Sequence, residues 1–229
     1  MYLKNSLIIG SLLFLSSSCL SQSKSSIEIF TGPSMPLGKF DNKNYSQFNN
    51  SNGIARTGIV FGAKYQYYTD EHFGVSFETQ YSLNKQDEKA IHDYLTKGAV
   101  GPVETKIQTG TWQILKLLAG INYNWGSHKQ KVNYHIGAAA GASKTALPHY
   151  YWAVYANPQT IYNSYEQTKT PLRWLFSYQA NAGVNYQLQQ NKYLLLNLSY
   201  FNADYKTSSS NLTYNFSSLN LVVGIGFKF

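Results

Sequence analysis

The sequence predicts an all-β fold: an eight-stranded antiparallel up-and-down transmembrane β-barrel. Three observations carry that expectation. Apolar residues alternate with small or polar ones in eight segments, the period-two signature of strands with one apolar face. The connections between these segments alternate short and long, as when tight turns collect at one end of a barrel and loops at the other. Only 13% of the 229 residues are charged, while 16% are aromatic, with 20 Tyr and 17 Gly. A soluble domain carries roughly 25% charge.

The N-terminal segment reads as an export signal. Lys4 precedes the apolar run "SLIIGSLLFL" (Ser6–Leu15), which is too short to span a bilayer, and small residues follow it. The expected organisation is a cleaved signal peptide over 1–21 and an outer-membrane β-barrel domain over 22–229. Lipidation of Cys19 is the rival, but Ser16 stands where a lipobox prefers an aliphatic residue. Cys19 is the only cysteine, so removing it leaves a mature chain without thiol or disulfide chemistry. A mean hydropathy of −0.32 gives no dominant helical span.

The first strand is expected over 25–34, with Ile27, Ile29 and Thr31 on one face. The second (54–68) presents Ile59, Phe61, Tyr65 and Tyr67, with Gly58, Gly62 and Lys64 opposite. The third (73–84) sets Phe73, Val75, Phe77 and Tyr81 against Gly74, Glu78 and Gln80. The fourth (111–125) presents Leu115, Leu117, Ile121, Tyr123 and Trp125. The fifth (131–144) presents Val132, Tyr134 and Ile136 against His135 and Gly137. The sixth (171–188) presents Leu172, Trp174, Phe176, Tyr178 and Tyr186, and the seventh (192–204) Leu194, Leu196, Leu198 and Tyr200. The eighth (214–229) ends "SLNLVVGIGFKF", with Leu219 to Phe229 alternating.

Short turns at "TDEH", "GSHKQ" and "QQNK" make three hairpins. A turn centred on Glu71 pairs Tyr67 with Val75, Tyr65 with Phe77 and Lys64 with Glu78. One centred on His128–Lys129 pairs Trp125 with Val132 and Tyr123 with Tyr134. One centred on Gln190 pairs Tyr186 with Leu194. Each puts apolar against apolar and polar against polar.

A soluble sandwich or lipocalin-like barrel would bury the apolar face and show the polar one to water. The polar face here is rich in Gly and poor in charge, which suits a crowded lumen; the apolar face carries Tyr and Trp near the strand ends, as interfacial girdles do. Lys64, Glu78, Gln80, Lys116, Asn122, His135, Arg173, Gln179 and Asn181 are then expected inside, as a structural network with Lys64–Glu78 as a buried pair. An eight-stranded interior is filled by side chains and is no diffusion pore. The last strand pairs with the first to close the barrel, which places Phe227 and Phe229 at the short-turn girdle. There they are expected to serve as the insertion signal for the barrel-assembly machinery.

The first strand "IEIFTGPSMPLGKF", in which Gly32, Pro33, Pro36, Leu37, Gly38 and Phe40 fit a common pattern, and the terminal "GIGFKF" resemble the small outer-membrane β-barrel domain family that includes PorT. The architecture is similar to the OmpA membrane domain and OmpX. The resemblance implies fold and location but no reaction. Because PorT is linked to protein secretion, it also implies a possible place in a secretion or envelope-assembly machine.

No catalytic constellation is expected. An outer-membrane lipid-modifying enzyme or protease would need a His with an acid or Ser at the outer rim. His92–Asp93 and His149 lie in long loops, and adjacent residues of a strand point apart; His72 and His128 lie in short turns. The acidic residues lack calcium-loop spacing, no Cys/His cluster suggests zinc, and no cofactor is implied. The loop over 147–171 concentrates Tyr150, Tyr151, Trp152, Tyr155, Tyr162 and Tyr165. These aromatics are either a candidate binding surface or extensions of the flanking strands. The net charge of +8 is spread along the chain, which points away from nucleic acid and toward outer-membrane lipid and lipopolysaccharide. A protein partner at the loops is the remaining expected contact.

Overall fold

The computed structural model describes residues 24–43, 52–97, 104–125, 130–157, 160–171, 173–206 and 213–229. The signal segment 1–21 with Cys19, and also His128 and Leu172, lie outside them. The elements in chain order are β1 (Ser25–Leu37), β2 (Gly58–Tyr68), β3 (Phe73–Lys85), α1 (Glu88–Thr96), β4 (Glu104–Thr109), β5 (Thr111–Trp125), β6 (Val132–Leu147), β7 (Tyr150–Asn157), β8 (Thr160–Gln167), β9 (Thr170–Pro171), β10 (Leu175–Gln189), β11 (Lys192–Lys206) and β12 (Thr213–Lys228).

Eight of the strands close on themselves. The order is β10-β11-β12-β1-β2-β3-β5-β6, and β6 pairs back onto β10, every pair being antiparallel. Closure leaves no unpaired edge in the wall. At the seam, Ile29 stands opposite Ile225 and Ile27 opposite Phe227, and the backbones of Ser25 and Phe229 exchange two hydrogen bonds of 3.2 and 2.9 Å. Turns and termini gather at one end, called lower here; the long connections gather at the upper end.

The β2–β3 register pairs Tyr67 with Val75, Tyr65 with Phe77 and Lys64 with Glu78. The β10–β11 register pairs Tyr186 with Leu194, again as expected. The β5–β6 hairpin differs. Trp125 stands opposite Tyr134 and Tyr123 opposite Ile136, two residues along from the expected pairing. A shift of two keeps every side chain on its face, so polarity patterning does not detect it.

Inward positions are small where neighbouring strands crowd the lumen. Tyr193 stands opposite Gly226 and its ring covers that glycine so closely that a Cβ would overlap it. Phe30 covers Gly62 in the same way, with a ring carbon 2.8 Å from where a Cβ would lie.

The long connections are not plain loops. β4, β7 and β8 form a separate three-stranded sheet in the order β4-β7-β8, and α1 packs on it. The helix starts because Asp87 caps it, its Oδ1 accepting from the backbone N–H of Lys89 at 3.1 Å and Ala90 at 3.3 Å. Ile91 and Leu95, one turn apart, face the sheet and join Ile54, Tyr150, Trp152, Val154 and Ile107 in a small core. This is the cap.

Candidate functional site

The lumen and the cap are the two places where the chain concentrates chemistry. In the lumen, the alternation that turns Ile27 and Ile29 outward turns Glu28 inward. Glu28 and Glu78 stand on opposite sides of Lys64, as its register neighbours on β1 and β3. The ion pair forms with Glu28, Lys64 Nζ lying 2.6 Å from Oε2 with both side chains buried. The expected Lys64–Glu78 pair is therefore corrected: cross-strand register allows either carboxylate, and closure of β1 against β12 brings Glu28 the additional donor it needs. The Tyr193 hydroxyl donates to Glu28 Oε1 at 2.7 Å and lies 3.2 Å from Ser26 Oγ.

Glu78 is satisfied by amides instead. Gln80 Nε2 donates to Oε1 at 2.7 Å and Gln179 Nε2 to Oε2 at 3.0 Å. Lys116, fully buried, donates to Gln80 Oε1 at 3.2 Å and sits 4.0 Å above the Phe201 ring. The two carboxylates and two ammoniums thus balance in charge, linked across the barrel by glutamines. His135, Asn122 and Gln179 are buried in the same lumen, and Asn181 is partly exposed.

Arg173 does not join them. It is exposed, because the chain leaves β9 along the upper end of β6 and enters the barrel wall only at Leu175. A guanidinium at the rim stays hydrated, whereas the lumen would have to neutralise it. Glu28 was the residue missed, and its signal was present: it is the polar position between two outward isoleucines.

Above the network the lumen is stoppered. The segment after β1 folds back so that Phe40, fully buried, meets Trp112 and Phe216 edge-on at 5.7 Å each, and those two rings lie 5.4 Å apart. Trp112 Nε1 donates to the Gly53 carbonyl at 2.8 Å. Ile54 follows with φ +48, a conformation costly for a β-branched residue. The Asp87 N–H donating to its carbonyl at 2.8 Å and its buried side chain in the cap core hold it there. One residue thus ties plug to cap.

The aromatics of 147–171 divide between the two faces of the cap. Tyr150 and Trp152 are 6% and 1% exposed, so they belong to the cap core rather than to a binding surface. On a strand covered by a helix, alternate residues must face inward. Tyr165 is 41% exposed and stacks against Trp152 at 6.3 Å. Tyr151 and Tyr155 occupy the other face, partly exposed. Desolvation first, then Tyr155 and Glu166, raise the Tyr151 phenol above its ordinary value. Tyr162 lies in β8.

His92 and Asp93 lie in α1 rather than in a strand, and their side chains meet at 3.6 Å, both exposed. His149 Nε2 lies 3.2 Å from Glu166 Oε1, also exposed. His72, in the turn below β3, approaches the Asn124 carbonyl at 3.1 Å through Nδ1. Among the described residues, no group of three or more His, Cys, Asp and Glu could hold a metal. Phe227 and Phe229 face outward at the lower rim, with Phe229 6.4 Å from the Tyr65 ring.

No family model matches this chain, and no curated protein matches it; the PorT resemblance rests on its first-strand and last-strand residues alone. Solved structures do match. Neisserial surface protein A is similar with a TM-score of 0.50 at 12% identity, over 90% of this chain and 98% of that one. The N-terminal β-barrel domain of Pseudomonas aeruginosa OprF is similar with a TM-score of 0.45 at 12% identity, over 91% and 100%. Outer membrane protein OprG from the same organism is similar with a TM-score of 0.44 at 11% identity, over 91% and 98%. The first of these shows the fold, a small closed eight-stranded antiparallel barrel.

Proposed function

We propose that this chain is an integral outer-membrane barrel, exported by its N-terminal segment, that holds a folded cap outside the cell as an interaction platform. The observation that carries this reading is inverted polarity. Ile29, Phe77, Ile121 and Phe176 are 57%, 61%, 62% and 72% exposed on the outer wall, while Lys64, Glu28 and Lys116 are 6%, 2% and 0% exposed inside. Such a band is at home in hydrocarbon, which only helices and closed barrels can span. In this reading the strands of the closed wall cross the membrane; among the described residues no helix is long and apolar enough to do so. The lower end then faces the periplasm and the cap faces outward.

The filled lumen and its plug favour a structural or interaction role over transport. Tyr151 and Tyr155 on one face of the cap sheet are the proposed contact surface for a protein or glycan, with the exposed Tyr165 at the opposite face as a second proposed contact. A place in a secretion or envelope-assembly complex would use the same surface. Phe227 and Phe229 are the proposed contact for the barrel-assembly machinery during insertion.

Single cysteines at Tyr155 and at Lys192 test the orientation. With a membrane-impermeant maleimide on intact cells, Tyr155→Cys is expected to label and Lys192→Cys only after lysis. Labelling at Lys192→Cys with Tyr155→Cys protected would overturn the reading. Photo-crosslinkers at Tyr155 and Tyr165 then test the platform: discrete adducts at both support it, and a cap without adducts limits the role to a structural one.

A further inference from the structure

We propose that a groove on the outward wall at the upper end of β2, β3 and β5 docks the phosphorylated headgroup of an outer-leaflet glycolipid. The inference rests on the membrane reading above and names a ligand class for a different part of the molecule.

The groove, ≈ 740 Å³, is lined by Arg56, Thr57, Ile59, Leu83, Lys85 and Gln113, among others. Its floor is apolar because register sets Ile59 beside Leu83 and Leu83 beside Gln113. Below, Phe61 and Tyr81 continue that floor, their rings 5.5 Å apart. Its rim is cationic. The Arg56 N–H donates to the Lys85 carbonyl at 2.7 Å, so the two basic residues are fixed side by side. On the far side, Lys169 Nζ reaches Gln113 Oε1 at 2.8 Å.

Charge balance makes this a site. Among the described residues, no carboxylate lines the groove. The nearest in sequence, Asp87, is 8% exposed and committed to capping α1 and to Lys43 at 3.4 Å. Among the described residues, neither Arg56 nor Lys85 takes part in an ion pair. In the lumen, by contrast, Lys64 is paired with Glu28 and Lys116 donates to Gln80. An Arg beside a Lys suits a phosphate, one bidentate and one as a point charge.

Depth fits as well. From Phe73, at the lower girdle, to Leu83 is about ten residues of β3, which at ~3.3 Å each and a tilt of ~40° rises ~25 Å. The groove therefore opens where hydrocarbon gives way to headgroups, with acyl chains against Phe61, Tyr81 and Leu115.

The test uses the full-length chain folded in detergent, native mass spectrometry and diphosphorylated lipid A. Wild type is expected to retain the lipid. Arg56→Gln/Lys85→Gln should lose affinity at least tenfold, Arg56→Lys/Lys85→Arg should keep it, and Lys131→Gln/Lys192→Gln, with the same charge removed at the lower end, should change it less than twofold. Equal affinity in the groove variant, equal loss in both Gln variants, or undiminished binding of dephosphorylated lipid A would each overturn the proposal. Displacement of the lipid by millimolar inorganic phosphate would overturn the choice of a lipid. Binding that only a sulfated polysaccharide or an acidic protein shows would do the same. Heat-modifiable migration of the same samples separates the two readings: failure of wild type to show it counts against the membrane barrel, whereas loss of lipid by a variant that still shows it reads the groove.

Discussion

The barrel wall and the cap use the same period-two alternation and fill their interiors differently: the barrel interior mixes charged and amide side chains with an apolar cluster, the cap core is apolar and aromatic. β5 shows the change within one strand. At its upper end the inward residues are Trp112 and Ile114, 2% and 3% exposed; further down polar residues predominate, Lys116, Asn122 and Asn124 at 0%, 2% and 6%, with Leu118 between them at 4%. The outward set reverses in step, from Thr111 and Gln113 to Leu117, Ile121 and Trp125. The surroundings decide this. Where water lies outside, burying apolar rings gains roughly 25 cal/mol per Å², and the cap core of Ile91, Tyr150 and Trp152 follows. Where lipid lies outside, apolar residues are already out of water, and the interior can hold polar groups, with the charged ones needing partners most. The wall is held by backbone ladders, by side-chain pairs such as Lys64–Glu28 and by a buried cluster of Phe30, Val60, Tyr193, Leu195 and Val222, the cap by the packing of its own core.

The largest expected break in this comparison is in the lumen. Glu28→Gln keeps an acceptor for Tyr193 but strips Lys64 of its counter-ion, and an uncompensated buried charge costs ~4 kcal/mol. Urea unfolding of the folded barrel in lipid vesicles should show that loss. Glu28→Gln/Lys64→Met should recover most of it, because the orphaned charge goes with its partner. A double variant as unstable as the single one would mean that Glu28 acts by packing rather than by charge.

The cap should fail differently. Trp152→Ala empties a buried site between α1 and the β4-β7-β8 sheet, worth ~3 kcal/mol. Because the cap has its own core, the loss should stay there: faster proteolysis within the cap, with the heat-modifiable barrel and its unfolding midpoint little changed. A midpoint that falls as far as in Glu28→Gln would show cap and wall to be one cooperative unit, joined through the strained Ile54 that links Phe40 to Ile91.

This contrast explains what could be read from the sequence. The eight wall strands were legible because lipid on one side and a polar lumen on the other impose strict alternation over ten residues or more. Phe40 and Trp112 gave no such signal, since a plug is assembled from separate segments. Tyr150, Trp152 and Val154 alternate too, but alternation alone does not say whether the apolar face meets lipid or a helix. α1 is only nine residues long; its signs were the Asp87 cap and the Ile91–Leu95 spacing, both weak in a segment otherwise read as loop. The partner of Lys64 was undetermined because Glu28 and Glu78 flank it symmetrically, and only closure of the barrel distinguishes them. Arg173 was misplaced because alternation was extended past the point where the strand begins.

The smallest effect belongs to the lower end, where water governs again and side chains cap backbone rather than fill space. Asp70 Oδ1 accepts from the N–H of His72 at 2.7 Å and of Phe73 at 2.8 Å, closing the β2–β3 turn. These two bonds, that from Phe73 foremost, hold its carboxyl below the usual carboxylate range. A folded-state value below the unfolded one means that the ionised group stabilises the fold at neutral pH. That contribution is kept above the ordinary carboxylate range and lost as pH falls through the lowered value. Asp70→Asn keeps the acceptor and removes the charge. Its unfolding midpoint should lie slightly below wild type at neutral pH, and the two should converge as the pH falls through the lowered carboxylate value. The group is fully exposed, so the gap is small and added salt should shrink it. The Glu28→Gln deficit arises in a desolvated pair and should survive the same salt. A gap at Asp70 that widens on acidification would reverse the sign of the linkage and remove the turn from the water-governed side of the comparison.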